Sequence, residues 1–169
     1  AYIVVSAVAV VTYMPRLVGF CYAFKKPPYK QATEKRKIGI IVPARDESAV
    51  IGDLLDSILR QDYDGDFDVN VIVKDANDPT ILLAEAIGAK VFVVPDQTCK
   101  GDALDGFFKA LTPEQMESYD AFVIVDADGV LSPSYERELN NALEWDYDIY
   151  ITRKYMKNGL GARDKRTVF

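Results

Sequence analysis

Two aspartates one residue apart, Asp126 and Asp128, close the apolar run FVIV and stand just before Gly129. Like charges held that close raise each other's energy unless a cation or a bound proton offsets them. A divalent ion such as Mg²⁺ or Mn²⁺ is the natural offset, because both prefer carboxylate and phosphate oxygens. In an extended chain residues i and i+2 point the same way, so the spacing predicts two carboxylates converging on one cation, with Gly129 letting the backbone turn after them. A metal held there suits a diphosphate, whose charge it neutralises before and during departure. The bland alternative is a hydrated turn after a strand.

Spacing alone does not decide between these, since Asp-x-Asp also occurs at Asp62/Asp64, Asp64/Asp66, Asp66/Asp68 and Asp146/Asp148. The DYDGDFD cluster joins a helix to a strand, where Asp and Gly serve turns, and it has Val73 where a calcium loop needs its bidentate glutamate. Asp146 and Asp148 fall at the amino end of an expected strand, the wrong edge of a sheet for a ligand. Only Asp126 and Asp128 leave the carboxyl end of a strand that reads as central.

The composition narrows the chemistry. Among 169 residues there is no histidine, so Ser-His and Cys-His nucleophile systems are excluded and a metal must be held by oxygen ligands. The net charge of -6 argues against a nucleic-acid partner, which would call for a basic face. Cys21 and Cys99, the two cysteines, lack the paired spacing of a zinc site or disulfide framework and fit a reducing compartment.

The elements that must position the acids alternate from residue 37 onward. KIGIIVP (37 to 43), FDVNVIV (67 to 73), KVFVV (90 to 94), AFVIV (121 to 125) and DIYIT (148 to 152) read as strands. Helical spacing of apolar residues predicts helices over 47 to 61, 79 to 88 and 100 to 111. A further helix is predicted to about Trp145, with Ser132 as N-cap and Pro133 as first residue. Strands apolar throughout and joined by helices imply an α/β fold whose mainly parallel sheet is covered on both faces. Ligands bind such sheets at the carboxyl ends of the strands, which directs attention to loops 43 to 47, 74 to 78, 95 to 101 and 126 to 131.

Residues 1 to 24 carry one charge, Arg16, and as a helix would span roughly 36 Å at about 1.5 Å per residue, enough to cross a bilayer. Lys25, Lys26, Lys30, Lys35, Arg36 and Lys37 follow against the single acid Glu34. That excess marks the cytoplasmic side, so the expectation is a transmembrane helix (1–24), a basic cytoplasmic linker (25–37) and a cytosolic domain (38–169) attached to the membrane. The chain starts at Ala1 and stops at Phe169 without punctuation, and it reads as a piece of a longer protein.

These motifs together resemble the inverting family 2 glycosyltransferases, whose nucleotide-sugar-binding half has the Rossmann-like GT-A fold. IIVPARDESAVIGDLLDSILRQDY is similar to that family's opening strand, P-x-x-N/D-E loop and first helix, which implies that Ala44, Arg45 and Glu47 lie against the nucleoside. VIVKDANDPT looks like its second strand and implies that Asp75 contacts the base. It differs from the common D-D-x-S-x-D wording in having Lys74 at the first acid and one residue fewer, around Asn77 and Asp78. CKGDAL resembles the K-G-x-A-L that opens the third helix, placing Lys100 and Gly101 near the nucleotide. VDADG looks like the D-x-D in which Asp126 and Asp128 carry the metal, with Asp126 also near the nucleotide. The resemblance implies a nucleoside-diphosphate sugar, a UDP-sugar foremost, and inverting transfer to a saccharide or lipid-linked acceptor. The family's catalytic base belongs to its second half, and 154 to 169 offer no acid except Asp164.

A rival resemblance exists. VDADGVL is also similar to the first motif of haloacid-dehalogenase-like phosphatases, which would make Asp126 a nucleophile and Asp128 a general acid/base, with Thr152 as the second motif at the end of the next strand. That motif normally opens a domain, whereas three strand-helix units precede it here. A non-catalytic nucleotide-binding domain is the remaining alternative.

Overall fold

The computed structural model describes residues 2–23, 30–145 and 147–152. The chain divides into two compact units, Ala1–Lys30 and Gln31–Phe169.

Among its described residues the first unit holds one helix, α1 (Tyr2–Ala23), which runs through Pro15. Its one charge is accommodated on the helix itself, where the Arg16 guanidinium lies 5.7 Å from the centre of the Tyr13 ring. Among the described residues no helix is long and apolar enough to cross a membrane, so the span expected over 1–24 gains no support here. Residues 25–29 of the expected basic linker lie outside the described residues.

In the second unit the alternation of strand and helix is realised as β1 (Ile38–Pro43), α2 (Ile51–Leu59), β2 (Phe67–Val73), α3 (Thr80–Ala86), β3 (Lys90–Val93), α4 (Lys100–Ala110), α5 (Pro113–Glu117), β4 (Ala121–Ile124) and α6 (Tyr135–Ala142), ending in a 3₁₀ turn, Leu143–Trp145. The four strands form one sheet of order β3-β2-β1-β4, and every pairing is parallel. β1 sits between β2 and β4, with Ile38 opposite both Phe67 and Ala121. That interior place explains why it is apolar throughout and buried from Ile38 to Val42.

Alternate β1 residues feed two cores. Ile40, Val42 and Ala44 pack with Leu54, Leu55 and Ile58 of α2 and Ala84 of α3. Ile41 and Ile72 of β2 pack on the other face with Ala103 and Phe107 of α4. Phe107 is fully buried and meets Phe92 and Phe108 edge-on at 4.8 and 5.2 Å between ring centres. Gly39 serves this second face by close approach: a Cβ there would lie 2.5 Å from Phe122 Cδ1, so the ring of Phe122 rests on the bare strand.

Several expectations are corrected. The first helix begins at Ile51 rather than 47, because the Glu47 carbonyl accepts from both Val50 N and Ile51 N at 3.0 Å and closes a turn before the helix starts. Ser132 and Pro133 are not the cap and first residue of the last helix, which starts at Tyr135 with Ser134 as N-cap. Their carbonyls are taken by Gln61 Nε2 at 2.9 Å and Asp62 N at 2.7 Å, which fasten the segment to the end of α2. α5 was not expected, although Thr112 and Gln115 form the capping box that the TPEQ spacing allows.

The strand expected over 148 to 152 does not form. Ile149 and Ile151 are 81 and 95% exposed, and no described strand pairs with them. An alternating pattern states fitness for a sheet, whereas a strand also needs a partner edge to satisfy its amides. β4 is consequently an edge strand among the described residues, not a central one.

The basic residues nearest the domain are also not a free linker. Residues 31 to 37 form a strap on α6: Ala32 N donates to Asn141 Oδ1 at 2.8 Å, Asn140 Nδ2 donates to the Glu34 carbonyl at 2.9 Å, and Arg36 pairs with Glu144 at 2.8 Å. Lys35 pairs with Asp64, Lys37 with Asp68 and Arg137 with Asp62, so three acids of the DYDGDFD cluster serve ion pairs.

Candidate functional site

The two aspartates belong to a tight turn rather than an extended pair. Val125 N donates to the Ile41 carbonyl at 2.9 Å, the last rung between β4 and β1, and Gly129 N then donates to the Asp126 carbonyl at 2.9 Å. Asp126 is thus the first and Asp128 the third residue of a β-turn. The turn explains the glycine, because a Cβ at 129 would stand 2.9 Å from the Asp126 carbonyl oxygen. Val125 and Ala127 point into the core, at 8 and 4% exposure, while Asp126 is partly exposed and Asp128 exposed. Beyond the turn, Leu131 N donates to Ser57 Oγ at 2.9 Å, which fixes the loop to α2.

The loop after β1 is held as firmly. Ala44 is buried and its N–H donates to the Ile72 carbonyl at 2.8 Å, continuing the sheet one residue past the strand. Asp46 has φ of 57°, the left-handed region that a residue with a side chain enters only when its surroundings hold it there. Asp78 does so: its Oδ2 accepts from Asp46 N at 3.3 Å and its Oδ1 from Thr80 N at 2.8 Å. Asp78 is 7% exposed. Burial works against its ionisation, but hydrogen bonds from Thr80 and Asp46 outweigh it and hold the carboxyl below the usual range.

The third loop is organised by Asp102. Its carboxylate accepts from the Thr98 hydroxyl, from Thr98 N at 2.8 Å and from Cys99 N at 3.1 Å, and these bonds lower its pKa to about 2. Cys99 caps α4, and the packing of Ala103 and Phe107 under the sheet fixes where that helix begins. The first residue, Lys100, reaches across 26 residues of sequence to form an ion pair with Asp126 Oδ1.

These three loops enclose an open cleft of about 410 Å³ at the carboxyl ends of the strands. Ala44, Arg45 and Glu47 line it from the first loop, Lys100 from the third and Asp126 and Asp128 from the fourth. Two expected site residues do not line it. Asp75 is exposed, and its Oδ1 accepts from Asn77 N at 2.8 Å and Asn77 Nδ2 at 3.2 Å, which closes its own turn. Gly101 lies in the first turn of α4, where a Cβ would meet only Cys99 Sγ at 3.5 Å, an ordinary contact. Gln97 was not singled out from the sequence, yet it lines the cleft, is 4% exposed and has no hydrogen-bond partner for its Nε2 among the described residues. Nothing in the DQTC stretch distinguishes it from loop polarity. Asp78 carried a legible signal, an aspartate before Pro-Thr at a helix start.

The donor set fits a hard divalent cation only with help from a ligand. No group of three His, Cys, Asp or Glu side chains among the described residues could hold a metal. One or two carboxylates completed by phosphate oxygens and water are the usual setting for Mg²⁺. Asp126 and Asp128 supply that number on the turn.

The family model of the glycosyltransferase like family 2 matches residues 35–166. The chain belongs to this family. As a family 2 member it has structural neighbours that are GT-A glycosyltransferases, and its four-stranded parallel sheet matches the GT-A-like fold. The mannosyltransferase PcManGT from Pyrobaculum calidifontis, solved in complex with GDP-Man and Mn²⁺, is similar at 25% identity and a TM-score of 0.57, over 84% of this chain and 43% of that one. TarS 1-349 from S. aureus is similar in fold at 20% identity and a TM-score of 0.55, over 64% of this chain and 32% of that one. Its complex with UDP-GlcNAc gives a TM-score of 0.53 at 19% identity, over 64% and 31%. This family 2 chain therefore spans less than half the length of the structures it matches. No curated protein matches it. The phosphatase resemblance loses its second motif, because Thr152 follows a segment without regular structure and lines a separate groove beside β4.

Proposed function

We propose that this family 2 chain binds a nucleoside-diphosphate sugar, a UDP-sugar foremost, in the cleft at the carboxyl edge of its sheet for inverting transfer to a saccharide or lipid-linked acceptor. The observation that carries the reading is the meeting of the Asp126–Asp128 turn, Lys100 and the Glu47 loop around one cleft. Asp126 and Asp128 would hold Mg²⁺ or Mn²⁺, which when bound neutralises the diphosphate as a leaving group. Lys100 and Arg45 bring positive charge to the same oxygens, and Ala44 and Glu47 complete the nucleotide contacts in this proposal. Inversion requires an acceptor hydroxyl to approach the anomeric carbon from the face opposite the diphosphate while a carboxylate removes its proton. That base is assigned to a part of the protein other than the residues named here. Attachment through residues 1–24, with the domain on the cytoplasmic side, is part of the same proposal and rests on the apolar composition of that stretch and the lysines after it.

Calorimetric titration of the 169-residue chain with UDP and GDP, in Mn²⁺ and again in EDTA, tests the reading. UDP is expected to bind about tenfold or more tightly with the metal, a difference of about 1.4 kcal/mol. Failure of both nucleotides to bind in Mn²⁺ would overturn it.

A further inference from the structure

The ion pair between Lys100 and Asp126 occupies the carboxylate to which the proposed reaction brings a cation. We propose that Lys100 is a displaceable counter-ion, which holds Asp126 while the cleft has no ligand and moves onto the diphosphate when a divalent ion takes the carboxylate. Metal and nucleotide then bind as a coupled pair and poorly one at a time. The inference rests on the nucleotide-sugar reading and adds a coupling to it.

Three observations carry it. Lys100 stands at the first residue of α4, where the helix dipole disfavours a cation, so helix stability does not explain its placement. The cleft also presents three carboxylates, Glu47, Asp126 and Asp128, against two cations, Arg45 and Lys100. Moving Lys100 off Asp126 onto a phosphate without supplying a metal leaves two aspartates of one turn mutually repelling, and placing a metal there without moving Lys100 sets two cations on one carboxylate. Finally, neither partner is locked in place. The side chains of Lys100 and Asp126 are 47 and 44% exposed, and a lysine stem swings a compact charge with three donors. Exposed pairs of this kind are weak, so a diphosphate can outcompete the carboxylate.

The exchange makes opposite-signed expectations for one substitution. In Lys100→Met, Mn²⁺ alone is expected to bind about threefold or more tightly than to the unaltered chain, because the ammonium no longer has to be displaced. UDP in saturating Mn²⁺ is expected to bind about tenfold or more weakly, because the ammonium is missing from the phosphates. The factor by which Mn²⁺ and UDP tighten each other, which must be the same measured from either side, shrinks accordingly. Lys100→Arg keeps the charge and is expected to leave Mn²⁺ binding without nucleotide as weak as before. Manganese electron paramagnetic resonance gives the metal affinity and calorimetry the nucleotide affinity, with thermal melts reporting the fold of each variant. If UDP binds the unaltered chain with Mn²⁺ but Lys100→Met leaves the metal affinity and the mutual tightening unchanged, the counter-ion role is overturned while the nucleotide reading stands. Absence of UDP binding to the unaltered chain would overturn both.

Discussion

Glu136→Leu is expected to stabilise the chain at pH 8 by on the order of 3 kcal/mol. Glu136 lies in α6 with no exposed surface, and neither carboxylate oxygen has a hydrogen-bond partner among the described residues. Burial pushes its pKa up to about 7. That rise from the ordinary glutamate value of 4.5 corresponds to roughly 3 kcal/mol. The sign follows from proton binding. Between about pH 4.5 and 7 the native state keeps a proton that the unfolded chain has released, so stability falls as pH rises through that window and levels off above it. Leucine removes the ionisation penalty together with two unsatisfied oxygens, a replacement that is commonly neutral or stabilising. Urea denaturation from pH 5 to 8 measures it: the wild-type chain should lose stability across the range and the variant should not. A wild-type curve flat over that range, or a leucine variant less stable at pH 8, would contradict the assignment.

Asp78→Ala is expected to cost about 2 to 4 kcal/mol of stability and to weaken nucleotide binding at the same time. Its two oxygens accept from two different segments, and hydrogen bonds to a charged group contribute about 1.5 to 3 kcal/mol each. One bond starts α3, and the other holds Asp46 in its left-handed conformation beside Arg45 and Glu47. The folded carboxyl titrates below its ordinary value, so the contribution is fully present above about pH 4 and is lost as pH falls through the lowered value. Asp78→Asn retains an acceptor for only one of the two N–H groups and should fall between alanine and wild type. Denaturation together with UDP titration well below the melting temperature separates the two effects. Lost stability with undiminished nucleotide affinity would show that Asp78 supports the fold without shaping the first loop.

The strands and the edge of the sheet that carries the site were legible because burial on both faces leaves an apolar run that needs no long-range information. β1, β2 and β3 fall where their runs predict, and the cleft forms from three of the four loops marked in advance. What the sequence concealed depends on partners far away along the chain. Asn140 and Asn141 are buried on a face of α6 that reads as polar, because the 31–37 strap covers them and supplies backbone partners. The start of α6 moved because Gln61 and Asp62 bind the carbonyls of Ser132 and Pro133. The sequence of Asp126 and Asp128 suits an extended pair, since a two-residue spacing carries no sign of the hydrogen bond from Gly129 that bends them into a turn. The Lys100–Asp126 contact joins positions that only the parallel order of β1 and β4 and the docking of α4 bring together.

The most direct test of the metal-dependent diphosphate site is the thermal unfolding of the full chain and of Asp128→Asn, each with and without UDP and Mn²⁺. Asp128 is exposed on the turn and packs in neither core, so the substitution should leave the unliganded melting temperature within about 1 °C. UDP with Mn²⁺ at a hundred times its dissociation constant should raise the wild-type melting temperature by several degrees, corresponding to about 2.7 kcal/mol, and should leave Asp128→Asn where it was. An equal rise in the variant would contradict the role given to the Asp126–Asp128 turn.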